Sequence, residues 1–167
     1  MNRVNAALVA LSAAAAALAG CGSPCVAKED RLVVDLISAA GLNDAGVGPQ
    51  HVRFQVWAVR DKAMFESARA DALAESESVE SFERQGMGRV FVTDSNWIKP
   101  ASTRRVVQRV EEDSQYSWVG IAVLYPEARK VLVPLDCTKH AGYTPGRPDH
   151  SVVFTLGPQT VEPGAAR

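Results

Sequence analysis

His51-Val52-Arg53-Phe54-Gln55-Val56-Trp57-Ala58-Val59 alternates at period two, with Val52, Phe54, Val56 and Ala58 on one side and His51, Arg53, Gln55 and Trp57 on the other. Successive side chains of an extended chain point to opposite faces, so this spacing predicts a β-strand with one face on a core. Tyr116–Tyr125 is apolar on both sides, with Val119, Ile121 and Val123 opposite Trp118, Ala122 and Leu124, and predicts a central strand. Arg31–Ile37, Arg89–Thr93, Lys130–Leu135 and Ser151–Leu156 predict four more strands. Arg104–Glu111 is β-rich but charged, as suits an edge strand that resists further pairing. Between these strands, Phe65, Ala68, Ala72 and Leu73 recur at helical spacing and predict one short amphipathic helix over Asp61–Glu75. Seven short strands with one helical interruption predict a mainly β domain over residues 31–157. Its expected form is a two-sheet antiparallel β-sandwich with a small helical insertion. Residues 158–167, rich in small and polar types, read as a flexible C-terminal tail.

The N-terminus carries a different signal. Arg3 precedes fourteen uncharged residues from Ala6 to Ala19, and Leu18-Ala19-Gly20-Cys21 closes the run. A basic start, an apolar stretch and small residues before a cut site make a secretory signal, here residues 1–20. The run is too short for the roughly twenty residues that span a bilayer. Leu-Ala-Gly before a cysteine resembles the bacterial lipobox, which implies cleavage before Cys21 and acylation of its thiol and new amino group. Gly22 in place of an aspartate implies sorting to the outer membrane, with the domain facing the periplasm. Residues 21–30 include Gly22, Ser23 and Pro24 and read as the lipidated tether. The two remaining cysteines, Cys25 and Cys137, would meet an oxidising compartment, where a disulfide is the economical reading and two free thiols the alternative. Such a bridge would close most of the chain into one loop, worth about 4–5 kcal/mol by chain entropy.

Composition excludes several function classes. The chain has 18 basic and 19 acidic residues and no basic cluster that could track a phosphate backbone, so nucleic acid is not an expected partner. Cys137 and His140 supply two ligands where zinc takes three or four, so no metal is expected. Asp149-His150-Ser151 holds the residue types of a catalytic triad, but neighbours on an extended chain point apart. No nucleophile elbow, phosphate-cradling glycine loop or dinucleotide fingerprint occurs. No catalytic residue, cofactor or enzymatic activity is therefore expected. The three tryptophans, Trp57, Trp97 and Trp118, read as core or sheet-face residues. The competing function, a periplasmic lipoprotein binding a small ligand or polysaccharide, would require aromatic side chains to converge on one concave surface.

Gly41-Leu42-Asn43-Asp44-Ala45-Gly46-Val47-Gly48-Pro49-Gln50 joins two strands but exceeds the two to five residues usual for a hairpin, and loops longer than the connection needs tend to carry function. Leu42 and Val47 are its expected apolar contacts with a partner, and Asn43, Asp44 and Gln50 its expected hydrogen-bonding groups. In order along the chain, several segments resemble the type VI secretion outer-membrane lipoprotein family, TssJ. They are the lipobox, Ser38-Ala39-Ala40-Gly41-Leu42-Asn43 before a loop to Pro49, the strand Val52–Val59, and Asp61-Lys62-Ala63-Met64-Phe65-Glu66-Ser67-Ala68 with Leu73. Ile98-Lys99-Pro100 and Tyr116-Ser117-Trp118-Val119-Gly120-Ile121-Ala122 complete the pattern. The resemblance implies a transthyretin-like sandwich anchored in the outer membrane. It further implies that the loop after the first strand docks the periplasmic domain of the large inner-membrane subunit, TssM.

Overall fold

The computed structural model describes residues 31–91, 93–109, 116–135 and 150–164. Leu32, Val34 and Leu36 of β1 (Arg31–Ser38) share one core with Val52, Phe54, Val56 and Ala58 of β2 (Val52–Val59), but the two strands lie in different sheets. The first sheet has the order β5-β1-β8-β9, with β5 at Thr103–Arg109, β8 at His150–Leu156 and β9 at Val161–Gly164. The second has the order β3-β2-β6-β7, with β3 at Gly88–Val90, β6 at Trp118–Leu124 and β7 at Arg129–Pro134. β4 (Trp97–Ile98) also pairs β2, at the end away from β3. The sandwich is the expected one, with a departure: β1 and β8 run parallel, and every other ladder among the described residues is antiparallel. The charged strand β5 is an edge, as its sequence predicts, and Arg105 on it forks onto the Asp35 carboxylate of β1 at 2.7 and 2.8 Å. That guanidinium holds the Asp35 carboxyl below the usual carboxylate range.

The second sheet is covered on both faces. Val119, Ile121 and Val123 of β6 enter the core between the sheets, while Ala122 joins Trp57 and Val59 of β2 under a layer of helices. The expected helix over Asp61–Glu75 is in fact broken into α1 (Lys62–Ser67) and α2 (Ala70–Ala74), and the further helical turns that the sequence allows over Ser76–Gln85 are α3 (Ser76–Arg84). Asp61 starts α1 by accepting the Met64 N–H at 2.9 Å. Its end is set from far away in sequence. Lys130 of β7 donates to the carbonyls of Phe65 and Glu66, at 2.8 and 2.6 Å, and to that of Ala68. Those carbonyls are thereby satisfied without a continuing helix, and Ala68 and Arg69 turn extended. Trp57 does the same for α2, donating its indole N–H to the Leu73 carbonyl at 3.1 Å while its ring meets Phe82 edge-on.

Within the expected flexible tail over 158–167, Val161–Gly164 instead form β9, which pairs β8 from Leu156↔Val161 to Val153↔Gly164. Pro163 and Gly164 hide this strand from a propensity reading, yet both are tolerated at a sheet edge. The turn before it is closed by Gly157 N–H to the Thr160 carbonyl at 2.8 Å, and Tyr125 places its hydroxyl 3.1 and 3.0 Å from the carbonyls of Gly157 and Thr160. Burial pushes the Tyr125 phenol from 10.0 up to about 12. A raised phenol pKa means that the folded state favours the neutral form. Its contribution is therefore full below the unfolded value near 10 and is lost as pH rises through about 12. Tyr125→Phe is expected to cost about 1 kcal/mol at pH 7 from the lost hydrogen bond. The gap from wild type should narrow between pH 10 and 12, as read by urea unfolding at each pH; a gap that widens there would contradict the assignment.

Candidate functional site: the β1–β2 loop and its pole

The connection between β1 and β2 crosses from one sheet to the other, so part of its length is required by the crossing and the comparison with a hairpin does not hold. The crossing itself is short. Leu42 N–H bonds the Ala39 carbonyl at 3.1 Å, and Gln50 N–H bonds the Leu42 carbonyl at 2.9 Å. That second bond closes a neck, and residues 43–49 form an excursion beyond what the crossing needs.

Within the excursion the backbone is organised by its own residues. The Asp44 carboxylate accepts the N–H groups of Gly46 and Gly48 at 2.9 and 3.2 Å. Both glycines have φ above +90°, and a Cβ at either would meet nothing, so the requirement is conformational and not steric crowding. Asn43 takes the left-handed conformation at φ 53, which asparagine tolerates better than most residues. Its Oδ1 is buried without a hydrogen-bond partner.

The structure separates the five residues expected to touch a partner. Leu42 is corrected: it is 0% exposed and belongs to the core between the sheets, so its apolar surface anchors the neck and offers nothing to a partner. Asn43 is partly buried, and the Asp44 carboxylate is turned onto the loop's own backbone. Gln50 is exposed at the neck. Val47 stands at the tip, 76% exposed. The loop is thus a pre-shaped platform with one apolar side chain presented outward.

Other connections converge on the same pole. The Ser38 hydroxyl lies 2.6 Å from the Lys99 carbonyl and accepts the Ser102 N–H at 2.9 Å, and Ala101 N–H bonds the Ala39 carbonyl at 3.1 Å. These bonds tie the β4–β5 turn to the base of the loop. Trp97, on β4 at this pole, is 54% exposed. Its sequence reading as core or sheet face missed that exposure. The available signal was its position between Asp94-Ser95-Asn96 and Lys99-Pro100, turn formers that leave room for only a two-residue strand.

The tryptophans do not converge. Trp57 is buried beneath the helices, Trp118 begins β6 at the opposite pole with the Lys62 ammonium 4.8 Å from its ring, and Trp97 stands apart from both. An open hollow of about 500 Å³ lies between α2 and the β6–β7 turn, and the Asp71 carboxylate in it is held by Arg69, which lowers its pKa. Cys21, Cys25, Cys137 and His140 lie outside the described residues.

No family model matches the chain, and no curated protein does. Solved structures do. Serratia marcescens Lip, a membrane-bound component of the type VI secretion system, is 16% identical, with 83% of this chain and 99% of Lip covered and a TM-score of 0.55. A chain of a type VI membrane complex is 14% identical, with 83% and 100% covered and a TM-score of 0.57. A chain in the structure of the TssM C-terminal domain from EAEC is 13% identical, with 81% and 98% covered and a TM-score of 0.53. At these identities it is the architecture that is shared, over nearly the whole length of each matched chain, and this chain has the fold of Lip and of these chains from type VI secretion structures.

Proposed function

We propose that this chain is the lipid-anchored lipoprotein of a type VI secretion membrane complex, with a structural and not an enzymatic role. Acylated Cys21 would hold it in the outer membrane, and the loop 43–49 would dock the periplasmic domain of TssM. A Cys25–Cys137 bridge would staple the tether to the domain. The fold shared with Lip and with a chain of a type VI membrane complex supports the class of function. The observation that carries the docking site is the loop itself, a closed, internally bonded excursion whose tip presents Val47. Shaping a loop before binding reduces the ordering cost of association.

Val47→Asp puts a charge where an apolar contact is needed, and nothing of the core depends on that side chain. The expected result is at least a tenfold loss of affinity for the purified periplasmic domain of the cognate TssM, with unfolding free energy within about 0.5 kcal/mol of wild type. Binding at wild-type affinity by this variant and by a deletion of residues 44–48 would place the interface elsewhere.

A further inference from the structure

Among the described residues the large apolar side chains left exposed are Val47, Trp97 and Val107, and the first two stand at one pole. We propose that Trp97 is a second anchor for the same protein partner, an inference that rests on the docking role of the loop. Trp97 pairs with Arg53 on β2, three residues beyond the neck residue Gln50. Three residues of strand cover roughly 10 Å and a paired strand lies about 5 Å aside. Trp97 therefore falls well inside one footprint of about 800 Å² per partner, roughly 30 Å across, that also includes the loop tip.

The backbone beneath Trp97 is fixed although its ring is not covered. Its carbonyl accepts from the Arg104 guanidinium at 3.0 Å, and its N–H bonds the Ser95 hydroxyl at 3.2 Å. The neighbouring Asn96 carbonyl accepts the Phe54 N–H at 2.8 Å. Arg104 comes from the other sheet and also covers the Phe54 ring at 5.6 Å, so both sheets hold β4 in place. A tryptophan on a rigid base, apolar and with a free indole N–H to donate, matches the side chains that dominate binding at protein interfaces.

The position of the chain's start selects a protein over a lipid surface. β1 begins at Arg31 and reaches the loop pole at Ser38, so the described chain starts at the opposite pole, about 23 Å away along the strand. An anchor on Cys21 would thus join the described domain at the end away from Trp97 and Val47.

The test uses the domain labelled with 5-fluorotryptophan, which gives one fluorine resonance each for Trp57, Trp97 and Trp118, assigned with Trp97→Phe. Adding the unlabelled periplasmic domain of TssM is expected to shift the Trp97 resonance and leave that of buried Trp57 in place. Trp97→Ala is expected to weaken binding by at least tenfold. If Trp97→Ala binds as wild type while Val47→Asp does not, the second anchor is overturned and the docking loop stands. If neither substitution weakens binding, both readings are overturned. A Trp97 shift produced by phosphatidylglycerol vesicles and not by the TssM domain would also overturn the proposal.

Discussion

Trp57→Ala is expected to destabilise the domain by about 3–5 kcal/mol, the range for removing a large aromatic from a core. Trp57 is fully buried, and it is one of the contacts through which the second sheet holds its helices. Its ring meets Phe82 of α3 edge-on, and its indole N–H caps the Leu73 carbonyl at the end of α2. Truncation empties the space between β2 and the helices and leaves that carbonyl without its donor. Domains of this size are stable by only about 5–15 kcal/mol, so the loss is a large part of the whole. Trp57→Phe keeps part of the packing while removing the donor and the second ring. It should cost less than Trp57→Ala, with about 1 kcal/mol of its cost due to the lost hydrogen bond. Urea unfolding followed by far-ultraviolet circular dichroism measures both. A cost below 1 kcal/mol for Trp57→Ala would show that the helical layer does not depend on this residue.

What was legible in the sequence follows from where each residue's environment is specified. β2 and β6 could be read because strand periodicity is local: every second residue declares its face, and the two-sided apolar pattern of Trp118–Leu124 declares a covered sheet. The edge position of β5 was legible for the same reason, since its arginines have no place in a sheet interior. The breaks between α1, α2 and α3 were not legible. They depend on Lys130 and Trp57, which reach the helix carbonyls from distant strands, and no window along 61–84 contains them. β9 escaped because Pro163 and Gly164 leave its four residues too little strand propensity to be read, and they pair where the Tyr125-braced turn returns them to β8. In the candidate site, Val47 could be expected at a loop tip among glycines, but the burial of Leu42 could not. Adjacency along the chain suggested a hairpin, and only the assignment of β1 and β2 to different sheets shows that Leu42 must pass through the core edge.

Cys21→Ser is expected to abolish lipid-mediated attachment to the outer membrane while leaving the domain folded and competent to bind. The thiol is the only group at that position able to become a thioether, so a hydroxyl there should leave an uncleaved precursor. Each buried methylene is worth about 0.8 kcal/mol, and a single acyl chain gives only reversible binding, so the permanence of the anchor depends on two or three chains on one residue. No described helix is long and apolar enough to cross a membrane. The pole proposed for docking lies at the far end of β1 from Arg31. A domain beginning at residue 22 without acylation should therefore bind the periplasmic domain of TssM with the affinity of the full protein. In cells the two properties separate. The Cys21→Ser chain should fail to support assembly of the secretion complex at the outer membrane, although its partner surface is intact. Mass spectrometry of the wild-type protein should find a chain beginning at acylated Cys21, and membrane fractionation should find the variant outside the outer-membrane fraction. A mature wild-type chain that begins elsewhere, or a Cys21→Ser chain that still fractionates with the outer membrane, would show that the attachment is not made through this cysteine.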